Sequence, residues 1–235
     1  MSNSAMTTDI PANPPREAQA SSLRPALIIF ALSGALYMLL DAANAEGLWM
    51  AALKIVPIAT LLWLAASSLV GTGRTLALVA LGFSATGDVL LAIDFPNHFI
   101  FGLGAFLLAQ LTYAVTFGRR AHFSLCLAGR AFAILVAAGM LAAKVVPAAG
   151  DLALPVSFYI VAIVTMALCA AAYRGGSSLL FCGALTFMAS DALIAINRFV
   201  EPVALAGTWI MLTYYLAQAL LVCGLIRAEL AARVA

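Results

Sequence analysis

Charge is what this sequence most lacks. Asp, Glu, Lys and Arg make up 9% of its 235 residues, and 65% are hydrophobic. A soluble domain carries about 25% charged residues. So few charges cannot cover a globular surface, whereas a surface that faces lipid needs none. Histidine is scarcer still, with only His98 and His122. The topology below places them at opposite membrane faces, and a catalytic zinc site normally takes three protein ligands. No metal and no cofactor are therefore expected. The four cysteines, Cys126, Cys169, Cys182 and Cys223, lack CxxC spacing. Three of them fall in apolar spans, where cysteine behaves as a small hydrophobe. There is no G-x-S-x-G, and neither histidine approaches a membrane-embedded serine, which argues against serine hydrolysis. No Lys/Arg run with interleaved aromatics points to nucleic acid, and no protein partner can be inferred.

What remains is a series of long apolar runs, at 25–41, 48–70, 75–93, 98–117, 130–149, 154–173, 177–197 and 203–226. Each is close to the roughly 20 residues that cross a bilayer as a helix. Barrel strands would alternate polar and apolar residues, and lipid offers an open backbone no hydrogen bonds. The expected fold is all-α, a polytopic bundle of about eight transmembrane helices whose partner is the lipid bilayer. Residues 1–24, rich in Ser, Pro, Asn and Thr, read as a disordered tail rather than a signal peptide. The transmembrane domain is expected over 25–228, with a short C-terminal end at 229–235. Arg16, Arg24, Arg74, Arg119, Arg120, Arg130, Arg174, Arg227 and Arg233 fall on one side of this topology. Asp41, Glu46, Asp94, Asp151 and Glu201 fall on the other, with Arg198 as the sole arginine there. The positive-inside rule then puts both termini in the cytoplasm.

Two spans resemble each other. Span three carries Asp88-Val89-Leu90-Leu91-Ala92-Ile93-Asp94 and span seven Asp191-Ala192-Leu193-Ile194-Ala195-Ile196-Asn197. They are four spans apart and run in the same direction. A parallel repeat, as in some transporters, is one source of such likeness; chance similarity between Ala/Leu-rich helices is the other.

Asp88 and Asp191 are the only carboxylates in the interior of the spans, Asp41 standing at the end of the first. An Asp at mid-helix costs about 2.5–3.5 kcal/mol on insertion scales, so it needs a partner, a wet cavity or a proton. Lys54 in span two is the available cation. At about 1.5 Å per residue, Asp88 lies roughly 9 Å from Asp94, Asp191 roughly 10 Å from Arg198, and Lys54 roughly 12 Å from Glu46. Tyr159 and Tyr214 reach about 12–18 Å from the same ends of their spans. Polar groups from five helices therefore share one layer in the outer half of the membrane. Helical spacing groups Ser84 with Asp88 and Tyr214 with Gln218, and sets Gly102, Phe106, Gln110 and Tyr113 on one stripe. Each observation has a plainer explanation. The Asp–Lys set can be a buried ion pair that fixes packing, the tyrosines an interfacial belt, the glutamines interhelical glue, and Lys144 a snorkelling cation.

These residues resemble the YhhN-like lysoplasmalogenase family of multi-span membrane proteins. The resemblance is carried by the Lys54…Pro57 region, Phe83-Ser84-x-x-Gly87-Asp88, and Phe101-Gly102-Leu103 with Phe106, Gln110 and Tyr113. It continues in Pro155…Tyr159, Phe187-x-x-Ser190-Asp191-x-Leu193-x-Ala195 with Asn197, and Tyr214-Tyr215-x-x-Gln218. The family commonly has Pro directly after the span-two Lys, where Ile55 and Val56 intervene here, and many members have His at the position of Gln110. The resemblance implies a hydrolase in a bacterial inner membrane. Its substrate would be a lysophospholipid, a lysoplasmalogen, whose vinyl ether is cleaved to a fatty aldehyde and a glycerophospho-base. Protonation of a vinyl ether at carbon gives an oxocarbenium ion that water captures, a task for one neutral and one anionic carboxyl. Asp88 and Asp191 are then the catalytic candidates. Lys54, Ser84, Gln110, Tyr113, Tyr159, Ser190, Asn197, Tyr214, Tyr215 and Gln218 are candidates for binding or positioning substrate. A transporter that uses the Asp/Lys set and a non-catalytic scaffold remain open alternatives at this level.

Overall fold

The computed structural model describes residues 16–122, 125–174 and 178–233. They form α1 (Arg16–Ala42), α2 (Leu48–Ser68), α3 (Gly71–Ala92), α4 (His98–Gly118), α5 (Leu125–Ala148), α6 (Ala153–Ala171), α7 (Ser178–Ala195) and α8 (Ala206–Ala232). All eight are long and apolar enough to cross a membrane, so the chain is an integral, multi-pass, all-helical protein. The tail expected over 1–24 lies outside the described residues up to 15, while α1 already begins at Arg16 and turns apolar from Arg24.

Where Pro147, Gly150 and Pro155 crowd together, the chain makes a compact turn. Gly150 takes φ +54 and opens a 3-10 turn, Gly150–Leu152, directly before α6. Pro155 then sits in the first turn of α6, where backbone N–H groups lack intrahelical acceptors and a missing one costs nothing. At its far end α7 widens into a π segment, Ile196–Val200.

The closest helix pairs are α3 with α4 and α7 with α8. Neighbours follow the order α1–α2–α3–α4–α6–α7–α8 and back to α1 and α2, while α5 packs outside on α6. The span-three/span-seven likeness extends across this whole arrangement. Taking α1–α4 and α5–α8 as halves, α1 and α5 are the least buried helices, at 17% each, and α4 and α8 the most, at 50% and 56%. Asn44 and Gly150, ahead of α2 and α6, are both left-handed, at φ 57 and 54. Asn97 and Leu205, ahead of α4 and α8, are left-handed too, at φ 61 and 56. Short sequence identity, these backbone conformations and burial rank agree between the two halves, as a parallel repeat would have them.

Small residues set the closeness of the two tight pairs, as expected where lipid gives no hydrophobic drive for helices to associate. A Cβ on Gly102 would stand 2.5 Å from Leu91 Cδ2, and one on Gly224 2.7 Å from Leu180 Cδ2. Gly102→Ala should therefore lose about 1–3 kcal/mol, the usual cost of overpacking. Thermal unfolding in detergent measures it against Gly104→Ala, where nothing stands within 4 Å of the added methyl.

Candidate functional site

The buried polar residues gather into two clusters, one around each aspartate. In the first, Asp88 on α3 is 2% exposed. Its Oδ1 lies 3.4 Å from Lys54 Nζ on α2, and its Oδ2 accepts a 2.7 Å hydrogen bond from the Tyr214 hydroxyl on α8. Both carboxylate oxygens are thus engaged. Pro57 has no N–H to give the preceding turn of α2, and within that turn the Lys54 carbonyl accepts from the Tyr215 hydroxyl at 2.9 Å. One helical turn below, the Gln218 amide donates to Ser84 Oγ at 2.9 Å and accepts from the Tyr113 hydroxyl at 2.7 Å. This network joins α2, α3, α4 and α8.

In the second cluster, Asp191 on α7 accepts at one oxygen only. Oδ2 receives the Tyr159 hydroxyl from α6 at 2.6 Å and the Gln110 amide from α4 at 2.7 Å. Gln110 Nε2 also approaches Tyr159 Oη at 3.0 Å. Among the described residues, no cation contacts Asp191, and its Oδ1 has no hydrogen-bond donor. Gln110 is fully buried, yet its Oε1 has no donor among them either.

The halves exchange partners at these sites. Each aspartate is held by the second helix of its own half, α2 or α6, and by the last helix of the other half, α8 or α4. Among the described residues the two carboxylates share no hydrogen-bond partner. Between the clusters stands Phe106, which packs edge-on against Tyr214 at 5.7 Å and against Phe187 at 6.5 Å. The polar groups expected to meet from five helices thus form two hydrogen-bonded clusters rather than one, and Lys54 belongs to Asp88 alone.

The surroundings differ more than the sequences do. Beside Asp88, the space under α1 is filled by rings, with Phe30 and Tyr37 packed edge-on against Tyr215 at 6.1 and 6.4 Å. Beside Asp191 lies a cavity of about 60 Å³, walled by α4, α5, α6 and α7 with Leu91 of α3 and Phe199 of the π segment, and almost wholly apolar. Leu103, Phe106, Ala138, Leu141 and Ile160 contribute to its wall, and Asp191 with Tyr159 supplies its polar groups. Phe99 and Phe199 line it toward the acidic end of the bundle. There Arg198, on the π segment, lays its guanidinium 3.9 Å above the Phe99 ring centre.

Two candidates stand apart from both clusters. Ser190 Oγ donates to the Ile210 carbonyl at 3.0 Å, a bond between α7 and α8. Asn197 Oδ1 accepts from the Val203 backbone at 2.9 Å and shapes the turn before α8. Sequence reasoning missed the α5 wall and Arg198. The signal for Arg198 was present, as the sole arginine among acidic loops. Among the described residues, no group of three or more His, Cys, Asp or Glu side chains is placed to hold a metal.

A profile of the YhhN family matches residues 49–225. The chain belongs to the YhhN family. The family match runs from α2 into α8 and so contains both aspartates and the residues that hydrogen-bond or ion-pair with them. Among its relatives, a lysoplasmalogenase of Mycobacterium bovis is 37% identical over 147 residues, 59% of this chain and 55% of that protein. The match therefore spans about half the length of the mycobacterial relative. Lysoplasmalogenase TMEM86B of Sus scrofa is 33% identical over 218 residues, 90% of this chain and 91% of that one. The Homo sapiens protein of the same name is 34% identical over 142 residues, 60% of this chain and 59% of that one. No solved structure matches the chain.

Proposed function

We propose that this protein hydrolyses the vinyl ether bond of lysoplasmalogens, releasing a fatty aldehyde and a glycerophospho-base. The observation that carries this reading is the free oxygen of Asp191, a carboxylate in the wall of an otherwise apolar cavity. The names of the relatives support the same substrate class.

Protonation is the difficult step, because the proton must go to carbon. Asp191, with Oδ2 fixed by Tyr159 and Gln110, presents Oδ1 as the proton donor to the alkene carbon remote from oxygen. The electron pair of the double bond takes the proton, and positive charge forms across the adjoining carbon and the ether oxygen. The Asp191 carboxylate left behind faces that charge, which is stabilised strongly where water is excluded. A water molecule held by the unpartnered Gln110 Oε1 adds to the cationic carbon and returns a proton to Asp191. The resulting hemiacetal expels the glyceryl alcohol, and the aldehyde remains. The Lys54–Asp88–Tyr214 cluster holds the helices behind Phe106. The volume near Asp191 is that of about two waters in the liquid, so it holds part of an alkenyl chain and the rest lies outside the cavity.

Purified protein in detergent should release aldehyde from lysoplasmenyl-ethanolamine and none from its acyl counterpart. Ala192, in the cavity wall, tests where the chain lies. Ala192→Phe should lower kcat/KM for long alkenyl chains on the order of tenfold and spare a short-chain vinyl ether. Equal loss for both lengths would place the chain elsewhere.

A further inference from the structure

We propose that Arg198 is the phosphate-binding residue of the site, seating the phosphodiester of a lysophospholipid at the acidic end of the cavity. The inference rests on the hydrolase reading above for its substrate, and on the geometry of Arg198 for its place.

Three observations bear on it. The first is position. Arg198 is the sole arginine in the loops that carry Asp41, Glu46, Asp94, Asp151 and Glu201. The positive-inside pattern that explains the remaining arginines disfavours this one. The second is what it touches. Its guanidinium lies over Phe99 at 3.9 Å and near Phe199 at 5.9 Å, and both rings line the cavity that Asp191 also lines. Among the described residues it forms no ion pair with any carboxylate of that end. A guanidinium over a ring and without a carboxylate partner has N–H donors to offer, and their fork matches the paired oxygens of a phosphate.

The third is reach. Arg198 follows Asp191 by seven residues, about 10 Å along a helix at 1.5 Å per residue. In a lysoplasmalogen, seven bonds separate the carbon that takes the proton from the phosphorus. At about 1.27 Å per bond in an extended chain, that is about 9 Å. The reach from phosphorus to vinyl carbon thus matches the axial separation of the two residues. The π segment carries Arg198, and such segments redirect side chains at functional positions. The opposite end of the substrate is apolar, as is the cavity.

The plain structural alternative is that Arg198 only staples α7 to α4 through its stacking on Phe99. A binding measurement that needs no turnover separates the two. The probes are a 1-O-alkyl lysophosphatidylethanolamine, whose saturated ether is not cleaved, and the matching 1-O-alkylglycerol, which lacks the phosphate. The purified full-length protein should bind the phosphate-bearing probe at least tenfold more tightly. Arg198→Gln should erase that preference and leave 1-O-alkylglycerol binding unchanged. Arg198→Lys should restore part of it. Lys144→Gln, which removes a charge outside the cavity wall, should keep it. No preference in the unaltered protein, or a preference that survives Arg198→Gln, would overturn the proposal. So would equal weakening of both probes, which marks a structural staple.

In the aldehyde assay, Arg198→Gln should raise KM for lysoplasmenyl-ethanolamine about tenfold with little change in kcat, the signature of lost uniform binding. A protein that binds as described but releases no aldehyde would refute the hydrolase reading and leave the phosphate site standing. Release that is indifferent to Arg198→Gln would do the reverse.

Discussion

Asp191→Asn should reduce aldehyde release by about 10²- to 10⁴-fold, the usual contribution of a positioned general acid, with little change in the melting temperature. The substituted side chain keeps an oxygen in place of Oδ2, so the Tyr159 hydroxyl and the Gln110 amide retain their acceptor. What is lost is the transferable proton at the other position. The variant therefore removes chemistry while leaving the hydrogen bonds that join α4, α6 and α7. Equal protein yield, matched unfolding curves and single-turnover aldehyde measurement together check it. If more than about a tenth of the rate survives, below the lower bound for a general acid, Asp191 is not the proton donor.

The second large effect concerns stability. Lys54→Met leaves Asp88 nearly sealed from solvent with no cation beside it. Breaking a buried pair from one side costs about 3–5 kcal/mol, whereas replacing both members is often nearly neutral. Lys54→Met alone should lower the unfolding temperature sharply, and adding Asp88→Asn should recover most of the loss. The amide oxygen introduced by Asp88→Asn still accepts from Tyr214, so the double variant keeps that link between α3 and α8. Thermal unfolding of the two single variants and the double variant forms a cycle. A double variant no better than Lys54→Met would mean that the cost of the lone substitution is not an unpaired charge.

The sequence discloses one class of information well and another poorly. Lys54, Asp88 and Asp191 are conspicuous because charge in lipid is expensive, and the stripe Gly102, Phe106, Gln110 and Tyr113 is buried along its whole length. Helix spacing put Ser84 on the face of Asp88 and Tyr214 on that of Gln218, and the structure pairs these two faces through Asp88–Tyr214 and Ser84–Gln218. Neighbour relations were harder. Nothing in the composition of α5 says that it stands aside and lets α4 meet α6, because lipid tails are as apolar as leucine and mark no inward face. The Gln110–Tyr159–Asp191 cluster depends on that adjacency. So does the asymmetry between the two aspartates, which follows from Phe30, Tyr37 and Tyr215 filling one space while Ala138 and Leu141 border the other. The repeat was visible in one pair of helices, and its extent emerged from backbone angles that sequence does not display.

The exchange of partners between halves bears on how such a protein could arise. A four-helix ancestor with one aspartate on its third helix would have lacked half of that residue's hydrogen-bond shell. A second copy, in parallel orientation, would have supplied the missing last helix. Two identical chains would also have carried two identical sites, so any lysine beside one carboxylate would have stood beside the other. Joining the copies end to end would have removed that constraint. One descendant of the ancestral position could acquire a permanent counter-ion at Lys54, and the other could keep Tyr159 and a vacant oxygen. Such a fusion would have let one site hold the membrane bundle together and left the other to give away a proton, the role proposed for Asp191.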